Sequence, residues 1–347
     1  MRISDIGEFG LIEHLKKFLK KSSADVLVGI GDDAAVLDVG AKELIILSSD
    51  NFIQDVHFDL KYGSYHDIGY KAVGTALSDI SAMGGRVSGI LMNLGLLKDM
   101  ELEDIEAIYS GAEEILKKAN AQILGGDTSK TDKLFISVSV IGKVSKKHLL
   151  TRAGAKIGDK IFLLGNLGES ACGFELLKKK GKDMRSISKS QNDLISKHLR
   201  PEIRLHEGAK IAESGLASAM IDNSDGLSRS VAEIAKASNV GIKIFKDKLP
   251  ISDAVKDTVT DLGLNLMDIV LNGAEDYSLI FSVPAKKATV LKKQFKSKVI
   301  EIGEVVDKRV YLESSSGKKS SLEGAGFDHF RRTSFWGSIR KDWLKSS

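Results

Sequence analysis

Carboxylates recur in one setting along this chain. Gly29-Ile30-Gly31-Asp32-Asp33-Ala34-Ala35-Val36 sets two adjacent acids in a glycine turn, entered from Val26-Leu27-Val28 and left through Val36-Leu37. Neighbouring carboxylates repel, so such a pair needs a cation, a hydrogen-bond donor or full solvation. Asp50 closes the apolar run Glu43–Leu47 through Ser48-Ser49, and Asp79 lies near the end of a helical stretch. Asp127 follows Gly125-Gly126, Asp222 and Asp225 follow the run Ala217–Ile221, and Glu275 follows Asn272-Gly273-Ala274. Any one of these is satisfied as a turn or a helix cap. Six repetitions of strand or helix end, small residues, then acid point to a shared metal site. Ser48, Ser49, Thr128 and Ser224 add hydroxyls. Hard oxygen donors without a matching Cys or His cluster favour Mg²⁺ over Zn²⁺. Asp222 and Asp225 can converge on one ion or on neighbouring ions.

The elements that must position these acids alternate between strand and helix. Gly7 to Lys21 predicts a short amphipathic helix, with Phe9, Ile12, Leu15, Phe18 and Leu19 on one stripe. His66 to Met83 has a helical period through Ile68, Ala72, Ala76, Ile80 and Met83, and Gly84-Gly85 stops it. Asp79 falls beside that stripe, so its burial needs a partner. Val87–Leu97 predicts a strand, Glu101–Ala119 a helix, Gln122–Leu124 a short strand and Leu134–Val144 a long one. A second unit starts near Leu150, with strands at Lys160–Leu164, Ala217–Ile221, Val240–Phe245, Ser278–Val283, Val299–Val305 and Arg309–Glu313. Pro201 is placed to open a helix running through Glu213. The class is α/β or α+β, with domains at 1–148 and 149–347.

Composition narrows the function. The 347 residues suffice for two buried cores. Lys plus Arg (51) nearly balances Asp plus Glu (47), leaving a net charge of +4, which argues against nucleic acid as a partner. The single cysteine, Cys172, excludes an intramolecular disulfide and fits a reducing cytoplasm. No apolar run approaches membrane-spanning length. There is no Gly-x-x-x-x-Gly-Lys-Ser/Thr phosphate loop and no His-Arg-Asp kinase set. The 29–34 turn would meet a dinucleotide pyrophosphate with the wrong charge. A nucleotide enzyme built this way would hold phosphates mainly through carboxylate-bound Mg²⁺.

Taken together, the segments resemble the thiamine-monophosphate kinase family, part of the ATP-binding superfamily that includes aminoimidazole ribonucleotide synthase. The resemblance runs from Gly7-Glu8-Phe9 to Phe327-Asp328-His329-Phe330. Its carriers are the 29–36 turn, Ser49-Asp50 with His57-Phe58, and Leu77-Ser78-Asp79-Ile80-Ser81-Ala82-Met83-Gly84. Gly125-Gly126-Asp127-Thr128, Leu150–Ala155, Ser224-Asp225-Gly226-Leu227 and Glu275-Asp276-Tyr277 complete the set. Asn223 and Ala274 depart from the family pattern, and Ser49 stands where Thr is common.

The resemblance implies an N-terminal α/β domain that binds ATP and Mg²⁺ and dimerises through a β-barrel-like interface, with a C-terminal α/β domain behind it. It implies Mg²⁺ ligation, by several ions, at Asp33, Ser48, Ser49, Asp50, Asp79, Asp127, Asp222 and Asp225. It implies ATP contacts at Tyr109, Gly126, Asp127, Arg152 and Ser224, and substrate contacts at His57, Glu275 and Phe327. The implied partners are ATP, thiamine monophosphate and a second copy of the chain. The implied reaction is ATP-dependent phosphorylation of thiamine monophosphate to thiamine diphosphate by direct in-line transfer. The competing expectation is another ATP-dependent, small-molecule-activating enzyme of the superfamily. The hydrogenase-maturation branch needs a C-terminal cysteine, and this chain ends Trp343-Leu344-Lys345-Ser346-Ser347.

Overall fold

A computed structural model describes residues 2–18, 23–180, 187–322 and 330. The first half holds seven strands: β1 (Val26–Val28), β2 (Ala35–Leu37), β3 (Glu43–Ile53), β4 (Arg86–Leu96), β5 (Ile123–Gly125), β6 (Thr128–Lys130) and β7 (Phe135–Ser145). They form one sheet in the order β1-β2-β3-β7-β4-β5, with β6 also on β4. Only the pairings of β4 with β5 and β6 are parallel. The second half holds β8 (Lys160–Leu164), β9 (Ala219–Asp222), β10 (Gly241–Phe245), β11 (Leu279–Val283), β12 (Val299–Val306), β13 (Val310–Glu313) and β14 (Lys319–Ser321). Their order is β14-β13-β10-β12-β8-β11-β9. Both sheets are open paths with free edges. Among the described residues neither sheet closes into a barrel, since β1 and β5 do not meet, so the barrel-like interface expected of two copies is not a closure of one chain's sheet.

The helices are α1 (Ile3–Leu15), α2 (Tyr65–Ala82), α3 (Leu102–Ala119), α4 (Glu169–Lys180), α5 (Lys189–Leu199), α6 (Leu205–Glu213), α7 (Leu227–Ser238), α8 (Asp253–Leu262), α9 (Leu266–Asn272) and α10 (Ala285–Phe295). Among the described residues, none is long and apolar enough to cross a membrane.

Helix α2 organises the molecule. It begins at a reciprocal cap in which the Asp67 amide donates to Ser64 Oγ and the Ser64 amide donates to Asp67 Oδ2, each at 3.1 Å. It ends at Gly84, whose φ of 71° an L side chain rarely adopts. One side packs on β3 and β7, the other on β9, α5 and α6. Ile68, Ala72, Ala76 and Ile80 go into the N-terminal core with Ile46, Met92 and Val138. The helix crosses α3 with no side-chain spacer. A Cβ on Gly69 would lie 1.9 Å from the Ile108 carbonyl oxygen, and one on Gly111 equally close to that of His66.

Several expectations shift. Helix α1 starts at Ile3 rather than Gly7, and Gly7 interrupts it with φ 70° and ψ −178°. Pro201 does not open a helix: α6 starts at Leu205, and Pro201 lies in the extended link after α5. Helices α5, α8 and α9 were not foreseen: α5 and α8 carry few apolar side chains, and α9, though apolar, is only 7 residues long, too short to show a period.

Candidate active site

Strand and helix ends deliver the acids to one place. Alternation along β3 sends Leu44 and Ile46 into the core and carries Ser48 and Asp50 along the same face. Ser48 Oγ donates to Asp79 Oδ2, which supplies the partner that this helical acid required. Strand β9 is buried throughout and ends on Asp222. There Ser78 Oγ of α2 donates to Asp222 Oδ2 at 2.6 Å, and Ser224 Oγ to Oδ1 at 3.2 Å. Asp33 closes the group from its glycine turn. Carboxylate oxygens of Asp33, Asp79 and Asp222 lie within 4.8 Å of one another. Residues 33, 79 and 222 thus converge from a turn, a helix and a strand, the strand belonging to the second sheet.

Arg152 is the counter-charge. Its Nε and Nη2 donate to Asp33 Oδ1 at 3.1 and 2.6 Å, and its backbone amide donates to both oxygens of Asp32 at 3.2 Å. Asp33 Oδ2 is buried without any partner. Buried carboxylate oxygens are rarely left so, and a cation is the usual remedy. The electrostatics agree. Burial pushes Asp33 up to about 7 against the pull of Arg152. Burial, then Asp222, takes Asp50 to about 6. Burial, then Asp50 and Asp222, drives Asp79 well above the carboxylate range. Burial, then Glu8 and Asp222, takes Asp225 to about 7. Acids raised together by burial and by one another fit a site for divalent cations, and Asp33, Asp50, Asp79, Asp222 and Asp225 are the residues that would hold them.

Other expected residues stand apart. Ser49 points to the opposite face of β3, where its Oγ lies 3.1 Å from Ser139 Oγ. Asp127 is exposed on the turn between β5 and β6, and its carbonyl accepts from the Leu94 amide at 2.8 Å. Gly126 before it has no room for a side chain, since a Cβ would lie 1.8 Å from the Met92 carbonyl oxygen. Tyr109 is exposed on α3, and no described contact joins it to the cluster. Phe327 lies outside the described residues.

A second feature adjoins the cluster along α2. A small cavity is lined by Phe52, His57, Phe58, Tyr62 and Phe174. The Phe52 ring stacks on His57 and Phe58, with centroids 5.6 and 5.1 Å apart. His57 Nδ1 accepts from the Ile53 amide at 3.0 Å, which fixes its ring.

Lys71 and His198 also line the cavity, and behind them stands Glu275. Lys71 Nζ lies 2.8 Å and His198 Nδ1 3.4 Å from the same Glu275 oxygen, Oε2. His198 Nδ1 is also 3.0 Å from Ser170 Oγ. A carboxylate cannot donate, so the tautomer with the hydrogen on Nδ1 suits this setting. Burial, then Lys71, pushes His198 down to about 3, and the ring is neutral at physiological pH. Burial works to raise Glu275, but Lys71 and His198 bring it below its ordinary value, so it is ionised. The Glu275 backbone has φ 68°, a conformation costly for a side chain that is not glycine. Its amide donates to the Ser224 carbonyl at 2.7 Å, tying this loop to the acidic cluster.

Sequence reasoning did not single out Lys71, His198, Phe52, Tyr62 or Phe174. The one available signal was a lysine inside the apolar stripe of α2, seven residues before Ser78.

Comparison with known proteins places this arrangement. The AIR synthase related protein N-terminal domain matches residues 31–144, and the AIR synthase related protein C-terminal domain matches 156–313. The thiamine-monophosphate kinase of Bacillus subtilis (strain 168) is 36% identical over 335 residues, covering 93% of this chain and 99% of the relative. That of Aquifex aeolicus (strain VF5) is 33% identical over 331 residues, covering 95% and 100%. The solved structure of AaThiL complexed with AMPPCP and TMP superposes with a TM-score of 0.82 at 33% identity, covering 95% of this chain and 99% of that one. The thiamine monophosphate kinase crystal structure from Aquifex aeolicus superposes with a TM-score of 0.77 at 30% identity, covering 92% and 99%. With both domain families matched and near-complete coverage at this identity, the chain belongs to the thiamine-monophosphate kinase family of AIR synthase related proteins.

Proposed function

We propose that the protein transfers the γ-phosphoryl group of ATP to the phosphate of thiamine monophosphate, giving thiamine diphosphate and ADP. The observation that carries this reading is the meeting of Asp33, Asp79 and Asp222 beside Arg152, with an aromatic cavity farther along the same helix. The relative solved with AMPPCP and TMP supports the choice of donor and acceptor.

The chemistry asks little of the protein as an acid or base. A phosphate monoester has a second pKa of about 6, so the attacking oxygen is already ionised at neutral pH. The obstacle is repulsion between two polyanions. Magnesium held by Asp33, Asp50, Asp79, Asp222 and Asp225, with the Ser48 hydroxyl, would supply the opposing positive charge, and Asp127 and Ser49 would serve only an ion held apart from this cluster. Arg152, held on Asp33 through Nε and Nη2, adds a fixed positive charge beside the site of transfer. Gly126 lets the backbone approach the nucleotide closely, and Ser224 presents its hydroxyl from the cluster. His57, Glu275 and Phe327 meet the thiamine moiety, whose thiazolium cation favours aromatic faces such as Phe52 and Phe58.

Two chains would complete the site. The face of the N-terminal sheet away from α2 exposes Leu91 (41%), and Leu124 (49%) stands beside it on β5. A second copy seated there would cover these side chains. The decisive experiment is formation of thiamine diphosphate from ATP and thiamine monophosphate, with and without EDTA. No product with Mg²⁺ present would sink the reading.

A further inference from the structure

Lys71 is buried in the middle of a helix, its side chain only 4% exposed, and nothing in the phosphoryl transfer described above employs it. It lines the cavity and touches Glu275 rather than the acidic cluster. A buried ammonium without an anion, or a buried carboxylate without a cation, is strongly unfavourable, so each requires the other. The pair is also held at its far end. The Glu275 backbone is fixed at a positive φ and bonded to Ser224, while His198 approaches the oxygen that Lys71 holds. Every described side-chain contact of Glu275 falls on Oε2. A carboxylate gripped through one oxygen, on a strained backbone, is built to present its charge in a set direction.

We propose that Lys71 is a positioning residue for the acceptor: by pinning one oxygen of Glu275 it keeps the carboxylate charged directly behind the part of the cavity wall that Lys71 and His198 form, which selects a cationic ring over an uncharged ring of the same shape. This rests on the functional reading above, in which thiamine monophosphate occupies the cavity. The aromatic walls favour a flat cation by themselves. Glu275 adds a full charge, and Lys71 keeps that charge from being lost to a proton or turned toward water.

Steady-state kinetics on the full chain tests this, with thiamine monophosphate and with its uncharged thiophene isostere, in which carbon replaces the ring nitrogen. Wild type should prefer the charged acceptor in kcat/KM by about tenfold. In K71M that preference should fall to within about threefold, while kcat and the KM for ATP change by less than about threefold. E275Q should lose the preference likewise, and K71M/E275Q should be no worse than E275Q, because both residues act through one carboxylate. Should K71M fail to fold, K71Q, which keeps a donor without the charge, carries the same expectation. Retention of the preference in K71M or K71Q overturns the proposal. So does a double variant whose loss is the product of the two single losses. A wild type that transfers nothing to thiamine monophosphate overturns the functional reading and this inference with it. An active wild type with an unchanged K71M overturns only the role of Lys71.

Discussion

Arg152 spends both Nε and Nη2 on a single oxygen of Asp33, at 3.1 and 2.6 Å, and leaves the other oxygen buried without a partner. The guanidinium thus answers one oxygen of the carboxylate and leaves the other to a further donor or cation, in a residue whose carboxylate also lies within 4.8 Å of those of Asp79 and Asp222.

Removing one acid should therefore separate stability from turnover. Asp79→Asn keeps the volume, keeps an acceptor for Ser48 and takes one charge out of the crowded group. Without metal, its Tm should rise by about 1–2 °C, since roughly 1 kcal/mol of repulsion is relieved in a chain of 347 residues. Turnover should fall at least about tenfold, and added Mg²⁺ should raise Tm far less than in wild type. Thermal melts with EDTA and with Mg²⁺, beside the product assay, check both halves. An unchanged Mg²⁺ shift would remove Asp79 from the metal site.

The same acids set a pH dependence. In the metal-free fold Asp33 and Asp225 stand at about 7 and Asp50 at about 6, above the ordinary 3.8. The folded state then binds more protons than the unfolded chain between about pH 4 and 7, and the stability these groups contribute is lost as pH rises through that window. His198 acts in the opposite sense, since its folded value of about 3 lies below the ordinary 6.5 and it costs stability as pH falls between those values. His198 pairs with Glu275 rather than with the cluster, so comparing melts with and without Mg²⁺ cancels its contribution. The Tm gained from saturating Mg²⁺ should be several degrees larger at pH 8 than at pH 6. Equal gains at both values would contradict metal binding by these carboxylates.

Much of this was legible before the fold was known. Strand β8 was read at Lys160–Leu164 and α2 to within a residue at each end, because period and stop signals coincide there. Asp33, Asp79 and Asp222 were marked by the small residues and chain ends around them. Of the cavity, only His57 and its neighbour Phe58 were legible. Its wall joins Phe52 to Phe174 and Lys71 to His198, pairs separated by more than a hundred residues, and α5 carries only Leu194, Ile195 and Leu199 as apolar markers. The expected helix opening at Pro201 failed for a related reason. The proline ends α5's neighbourhood as an extended residue, and α6 begins only once Leu205 can turn inward.

The helix crossing offers a test of scaffold rather than chemistry. A Cβ at Gly69 or Gly111 meets a backbone carbonyl that cannot rotate away. Gly69→Ala should force α2 from α3 and destabilise the fold by about 1–3 kcal/mol, the usual range for overpacking. Chemical denaturation measures it. Turnover should drop as well, since α2 carries both Asp79 and Lys71. A variant as stable and active as wild type would mean that the two helices separate freely.

Direct transfer predicts the absence of a covalent intermediate. With the acceptor itself a phosphate anion, no protein nucleophile is required. Protein incubated with γ-labelled ATP and no acceptor should be unlabelled after denaturation. Stoichiometric label on a side chain would overturn in-line transfer.

Helix α2 also fixes a length. Lys71 at the cavity and Asp79 at the acidic cluster lie eight residues apart on one rigid element, and at a rise of 1.5 Å per residue this is about 12 Å. On the proposed reading one rigid helix thus sets the separation between the site for the acceptor's ring and the site for the metal-bound phosphates, so that neither can shift without the other.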